Sequence, residues 1–201
     1  MGRVRAYVGL GANVADAEAT IDAAVRALSA LPGARLRGVS RLYATAPVGV
    51  VDQPEFRNAV VALDVPAGPD PATGAVALLI ALKGIERAFG RQARERWGPR
   101  ELDLDLLVFG RHRVNTARSP EGRSEDPAKA ALPLVVPHAE ARHRLFVLAP
   151  LADIAPGLVP PGWGERVATA AARQRRIEGP DAVRPIGQWT GDRWALALAS
   201  D

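Results

Sequence analysis

Glu101-Leu102-Asp103-Leu104-Asp105-Leu106-Leu107-Val108-Phe109 alternates carboxylates with leucines and then runs into four apolar residues. That period of two predicts a strand, with Asp103 and Asp105 on one face and Leu102, Leu104 and Leu106 on the other. Gly110 begins the turn that ends it. Upstream, Gly90 is placed to cap a helix over about 72–89, apolar on more than one side and so expected to be buried. Before that helix come a strand over 56–65 and the turn from Pro66 to Pro71. A further strand is expected over 35–43. A first helix should run to about Leu31, capped by Asp16, with Ile21, Ala24, Val25 and Leu28 on one face. Val4 to Leu10 reads as the opening strand, broken by Gly11-Ala12-Asn13. The order is β-α-β-β-α-β, the ferredoxin-like split unit. It predicts an α+β fold whose antiparallel sheet carries helices on one face.

Downstream, the stretch from Ala117 to Ala131 is rich in Ser, Glu, Arg and Pro without an apolar period, and reads as a mobile surface insertion. Strand character returns over 132–136, Arg144 to Ala152 looks buried, and a helix is expected over 165–177. Trp189 and Trp194 should pack a C-terminal tail, from about residue 178, onto the domain. These are strand and helix additions to one domain spanning 1–201.

Of 201 residues, 48% are hydrophobic, enough for a core and too many for a disordered chain. The net charge of +4 rests on arginine, since Lys83 and Lys129 are the only lysines. Guanidinium forks suit phosphate, so an anionic partner is expected; arginine-rich genome composition accounts for the same bias. The absence of cysteine excludes disulfides, thiolate metal sites and cysteine nucleophiles. Neither a signal-like apolar core nor a run of transmembrane length occurs, which predicts a cytoplasmic protein without a membrane partner. The P-loop pattern is missing, and Val14 stands where a dinucleotide fingerprint beginning at Gly9 needs its third glycine.

On a strand, Asp103 and Asp105 start roughly 6.6 Å apart. Two bare charges at that distance repel by ~2.5 kcal/mol at an effective dielectric near 20. Either a divalent cation or neighbouring arginines must compensate. The loop just upstream supplies Arg91, Arg94, Arg96 and Arg100 around Trp97. Metal, carboxylates and arginines together are what phosphoryl transfer needs; a solvated basic loop anchored by Trp97 is the plainer alternative. Phe56 and Asn58 share a strand face, where they can stack on and hydrogen-bond a heterocycle or serve the core. Leu79, Lys83 and Glu86 form one helical stripe, facing a nucleotide or making a surface pair. His138, with Arg142 and Arg144 close behind, can meet phosphate or lie on the surface.

Taken in order, Gly9-Leu10-Gly11-Ala12-Asn13, Thr45-Ala46-Pro47-Val48-Gly49 and Asp52-Gln53-Pro54-Glu55-Phe56-Arg57-Asn58 form the first half of a series. Ile85-Glu86, Arg96-Trp97-Gly98-Pro99-Arg100, Leu102-Asp103-Leu104-Asp105, Pro137-His138 and the run from Arg144 to Leu151 complete it. The series resembles the 6-hydroxymethyl-7,8-dihydropterin pyrophosphokinase family of folate biosynthesis, over roughly residues 5–158. The resemblance implies that Asp103 and Asp105 hold two Mg²⁺ ions on the phosphates of ATP. It implies pterin contacts from Thr45, Ala46, Pro47, Val48 and Asn58, and from Phe56 and Phe146 sandwiching the ring, with Trp97 nearby. Leu79, Lys83, Glu86 and Trp97 would line the nucleotide side, and Arg91, Arg100, His138 and Arg144 would contact phosphates. Catalysis would rest on Arg91, Arg100, Asp103 and Asp105, in a monomer with no nucleic-acid partner.

Some positions depart from the family pattern. The Arg91–Arg96 loop is a residue short, leaving Gln92 and Arg94 as alternatives for the second loop arginine. Pro133 and Val135 replace an arginine and a threonine before Pro137-His138, and Ala139 replaces a larger residue. Weaker or altered ATP affinity is therefore expected. Two rival readings stay open: an RNA-binding module of the same element order, which lacks the spaced aromatics over 55–63, and a non-catalytic pterin-binding relative.

Overall fold

Strand β1 (Arg3–Ala12) sends alternate side chains to two faces, and both faces are covered. Ala6, Val8, Leu10 and Ala12 enter a core with α1 (Ala17–Ser29) and α2 (Pro71–Ala88). Tyr7 enters a second core with α3 (Leu145–Ile154) and α4 (Val167–Glu178). Strand β4 (Phe56–Pro66) divides likewise, Ala59, Val61, Leu63 and Val65 against Val60 and Ala62. The computed structural model describes residues 2–47, 52–90, 98–124 and 130–196. Helices therefore lie on both faces of the sheet, not on one as the element order implied. The unbroken apolar run from Ala59 to Leu63 is what two-sided burial demands.

The main sheet runs β5-β1-β4-β3-β8-β9, where β5 is Asp103–Phe109, β3 Leu42–Thr45, β8 Val183–Trp189 and β9 Trp194–Leu196. β2 (Arg35–Val39) also pairs with β4, and each pairing is antiparallel. The single strand expected over 35–43 is thus two. Ser40 interrupts it: its hydroxyl accepts from the Val60 N–H at 2.9 Å and donates to the Arg41 carbonyl at 2.7 Å. A side chain takes over a backbone rung there. Asp16 caps α1 as expected, accepting from the Ala19 N–H at 3.0 Å.

Residues beyond 178 extend the sheet through β8 and β9. Trp194 is buried in the α1/α2 core, donates Nε1–H to the Ser40 carbonyl at 2.9 Å and meets Trp189 edge-on at 4.6 Å. A separate ribbon pairs β6 (Val114–Thr116) with β7 (Leu134–Val136). Between them, the described residues 117–124 are not a free surface loop. A 3₁₀ turn at Pro120–Gly122 lies on α2, where a Cβ on Gly122 would come within 3.4 Å of Leu79 and 3.6 Å of Ile80. Arg87 donates to the Glu121 carbonyl at 3.2 Å.

Among the described residues β5 is an edge strand with β1 as its one neighbour in the sheet, so some of its backbone groups point outward. At Leu104 a buried ion pair on α2 satisfies both. Glu86 accepts from the Leu104 N–H at 2.7 Å, and Lys83 donates to the Leu104 carbonyl at 3.2 Å. Lys83 and Glu86 pair at 2.6 Å and are only 5% and 1% exposed. This is not the surface pair considered from spacing alone.

Three outcomes follow. Lys83→Met breaks the buried pair with Glu86 and lowers unfolding free energy in urea by about 3 kcal/mol; Lys83→Met with Glu86→Leu recovers part of that loss. Trp194→Ala costs about 3 kcal/mol, and Trp194→Phe, which loses the bond to Ser40, about 1 kcal/mol. Asp64 accepts from Arg5 at 2.6 Å and Arg37 at 2.5 Å, and these bonds hold its carboxyl down to about 2. Its contribution is complete above the unfolded-state value near 4 and is lost as pH falls toward 2. Asp64→Asn therefore flattens the acid-denaturation profile between about pH 4 and pH 2.

Candidate functional site

The face of the sheet opposite α1 and α2 carries the candidate residues at one end. In register, Gly11 lies opposite Asn58 on β4 and opposite Asp103 on β5. Gly9 lies opposite Val60 and Asp105. The order across the sheet is therefore Asn58, bare glycine strand, aspartate pair. Strands about 4.8 Å apart put roughly 10 Å between the Asn58 and Asp103 backbones. The glycines keep that interval free of side chains, and a Cβ on Gly11 would stand 3.4 Å from Asn58 Oδ1.

Asn58 is buried and oriented. Its Nδ2 donates to Thr45 Oγ1 at 2.8 Å across β3–β4, which leaves Oδ1 beside Gly11. Phe56 faces Thr45 in the same register and is half-buried. Phe146, in the first turn of α3, packs at the edge of a small cluster with Tyr43 and Leu145. Phe56 and Phe146 are not stacked on each other among the described ring contacts. Tyr43 donates to Asp153 at 2.9 Å and Arg41 pairs with the same carboxylate at 2.7 Å, tying β3 to α3.

Asp103 and Asp105 are both partly exposed on this face, as alternation required. Arg100 donates to Asp103 Oδ2 at 2.9 Å, an arginine contact of the kind the sequence allowed. No cluster of three or more acidic, histidine or cysteine side chains able to hold a metal occurs among the described residues. Two carboxylates on one open face nonetheless suit a hard cation that takes its remaining oxygens from phosphate and water. The donor set fits Mg²⁺ in that shared mode and not in an all-protein cage.

His138 follows the cis Val136–Pro137 bond, and its N–H donates to the Leu107 carbonyl at 2.9 Å, which fixes it beside β5. Its Nδ1 accepts from the Glu140 N–H at 3.3 Å, an arrangement that leaves Nε2 to carry the proton outward. Arg144 lies 3.7 Å from Glu140 and 5.9 Å from the Phe146 ring. Leu79 is buried beneath the Pro120–Gly122 turn. Ala46 and Pro47 continue from β3 at the rim. Val48, Arg91, Gln92, Arg94, Arg96 and Trp97 lie outside the described residues.

Two residues without an assigned part in the sequence reading join the site. Asn13 is buried and joins the segments on either side. Its Nδ2 donates to Gln53 Oε1 and the Pro54 carbonyl, each at 3.1 Å. Its Oδ1 accepts from the Arg100 N–H at 2.7 Å, and its own N–H donates to the Arg100 carbonyl at 3.0 Å. Arg118, placed by composition in a surface insertion, is half-buried, and burial lowers its pKa while Asp105 and Glu86 oppose that shift. An asparagine after a glycine-broken strand signals a turn but not its target, and no local pattern marks Arg118.

The covered second face also bears on the RNA-module alternative. Such modules stack bases on an open sheet face, and here Tyr7, Val60, Ala62, Leu107 and Val108 are packed under α3 and α4.

The sequence model of the family described as 7,8-dihydro-6-hydroxymethylpterin-pyrophosphokinase (HPPK) matches residues 7–156. A Pseudomonas aeruginosa protein named 2-amino-4-hydroxy-6-hydroxymethyldihydropteridine pyrophosphokinase is 44% identical over 154 residues, covering 77% of this chain and 82% of its own. A Methylorubrum extorquens protein of the same name is 40% identical over 174 residues, 87% of this chain and 97% of its own. Among solved structures, wild-type Plasmodium falciparum HPPK-DHPS with pteroate superposes with a TM-score of 0.72 at 14% identity, covering 99% of this chain. This chain spans 48% of that one, about half its length, and at such identity the likeness concerns the fold alone. With three quarters of its length matched by one family and relatives at 40% identity or more, the chain belongs to the 7,8-dihydro-6-hydroxymethylpterin-pyrophosphokinase family.

Proposed function

We propose that this chain transfers a diphosphate from ATP to 6-hydroxymethyl-7,8-dihydropterin, giving AMP and the pterin diphosphate for folate biosynthesis. One observation carries the reading beyond family membership. Asn58 and the Asp103/Asp105 pair occupy one face at a separation kept clear by Gly9 and Gly11. Asn58 presents an amide to a heterocycle edge, and the carboxylates present hard oxygens where phosphates would lie.

In this reading Thr45 orients Asn58, while Ala46, Pro47 and Val48 supply the backbone rim of the pterin pocket. Phe56 and Phe146 hold the ring from its two sides, with Trp97 completing the wall. Leu79, Lys83 and Glu86 form the helix wall of the nucleotide side. The buried Lys83 and Glu86 have the clamp on β5 as their first duty, so these two act on ATP by fixing the strand that carries the aspartates. Arg91, Arg100, His138 and Arg144 take phosphate oxygens. Two Mg²⁺ ions at Asp103 and Asp105 would neutralise charge on the ATP phosphates. The pterin hydroxyl oxygen forms a bond to the β-phosphorus. The bond from that phosphorus to the oxygen bridging the α-phosphate breaks, AMP departs with that oxygen, and the hydroxyl proton passes to solvent. Holding nucleophile and phosphorus in line supplies most of what such a transfer needs. The reading places the enzyme in the cytoplasm as a monomer with no nucleic-acid or membrane partner; among the described residues no helix is long and apolar enough to cross a membrane.

Asp103→Asn and Asp105→Asn test it. Each is expected to lower pterin-dependent AMP formation by about 100-fold or more. Melting temperature should hold or rise in Asp105→Asn, which removes like-charge repulsion, while Asp103→Asn also weakens the bond to Arg100 and shifts it little. Activity within a fewfold of the unsubstituted chain in both variants would sink the metal-pair assignment.

A further inference from the structure

Strand β8 lies against the pterin side of the site. Val183, its first residue, pairs with Thr45, the last residue of β3, and Thr45 in turn faces Phe56 on β4. Directly paired residues of antiparallel strands point to one face, so Val183, Thr45 and Phe56 form a cross-strand row. The adjoining row on that face holds Tyr43, Asn58, Gly11 and Asp103. Val183 is 2% exposed and is buried with Tyr43 of β3 and with Leu145 and Ala149 of α3, the cluster against which Phe146 packs. It therefore joins the strand that leads to Phe56 and the helix turn that carries Phe146. The backbone of that turn is held separately. Glu178, at the end of α4, accepts from the Leu145 N–H at 2.9 Å and is oriented by Gln174, which donates to it at 2.9 Å. With the helix end fixed, the interval between β3 and the Phe146 ring is set by the side chains that fill it. A β-branched valine, stiff at χ1, yields little there. Val183 lies beyond residues 7–156, the stretch matched by the family model.

We propose that Val183 is a positioning residue for the pterin substrate, its volume setting the spacing of Phe56 and Phe146 across the ring. The proposal rests on the diphosphate-transfer reading. The effect falls on one substrate, because Arg100, Asp103 and Asp105 lie on the far side of the bare glycine strand. The next residue of β8 makes a contact of another kind. Arg184 pairs with Glu55 at 2.7 Å with both side chains exposed, a contact that does little to fix the pocket.

The test is steady-state AMP formation, with pterin and ATP varied separately, by the full chain and by Val183→Ala, Val183→Ile, Val183→Thr and Arg184→Gln. The melting temperature of each variant is recorded alongside. Alanine empties part of the space and isoleucine overfills it, whereas threonine keeps the shape while burying a hydroxyl. The expected result is a pterin KM raised roughly tenfold in Val183→Ala, with kcat and the ATP KM within about twofold of the unsubstituted chain. Val183→Ile should raise the pterin KM too, and keeps the test open should alanine unsettle the strand. Val183→Thr should lose melting temperature yet retain its pterin KM, which a merely stabilising role would not allow. Arg184→Gln should match the unsubstituted chain. A pterin KM unchanged in Val183→Ala or Val183→Ile, an equal rise in the ATP KM, or an equal rise in Val183→Thr or Arg184→Gln overturns the proposal. AMP formation with an unaltered pterin KM refutes Val183 alone; no pterin-dependent AMP from the unsubstituted chain refutes the functional reading and this proposal together.

Discussion

The hold of Lys83 and Glu86 on the two backbone groups of Leu104 is the interaction on which the site depends. Among the described residues β5 has one strand neighbour in the sheet, and its outward-facing amide and carbonyl at Leu104 would otherwise be left to solvent or to another chain. A buried ion pair from α2 closes both groups and fixes the strand between Asp103 and Asp105. Such a pair contributes little net stability when measured against an apolar replacement, because two charges must be desolvated. Its return is positional, since it pins two like-charged carboxylates at the edge of a sheet.

The remaining parts of the site are arranged around that strand by absence as much as by contact. Gly9 and Gly11 leave β1 bare where a side chain would fill the interval between Asn58 and the aspartates. Asn13 then joins Gln53, Pro54 and Arg100, so the segments entering β4 and β5 share one buried amide. The chain's own additions reinforce the edges of this arrangement. β8 and β9 continue the sheet beyond β3, Trp194 locks them to Ser40, and the turn after β6 covers Leu79.

Much of this was legible in the residues. The alternation over Leu102 to Leu106 placed both carboxylates on one face, the cap at Asp16 and the Gly90 stop bounded the two long helices, and the motif series pointed to the family. Tertiary features were not legible. A second helical layer follows from where α3 and α4 dock, which the split β-α-β-β-α-β order leaves open. The break at Ser40 depends on a hydroxyl finding Val60, a residue twenty positions away. Lys83 and Glu86 at helical spacing look like a surface pair, because spacing says nothing of burial. Polar composition around Arg118 concealed a docked turn, since its contacts with α2 are tertiary and leave no local pattern.

The central claim is that Asn58 and the Asp103/Asp105 pair place a pterin hydroxyl in line with the β-phosphorus of ATP. Product identity tests it most directly. With Mg²⁺, ATP and 6-hydroxymethyl-7,8-dihydropterin, the account predicts one AMP and one pterin diphosphate per turnover, with both terminal phosphates of ATP recovered on the pterin. ADP with a pterin monophosphate, or nucleotide hydrolysis indifferent to pterin, would contradict it.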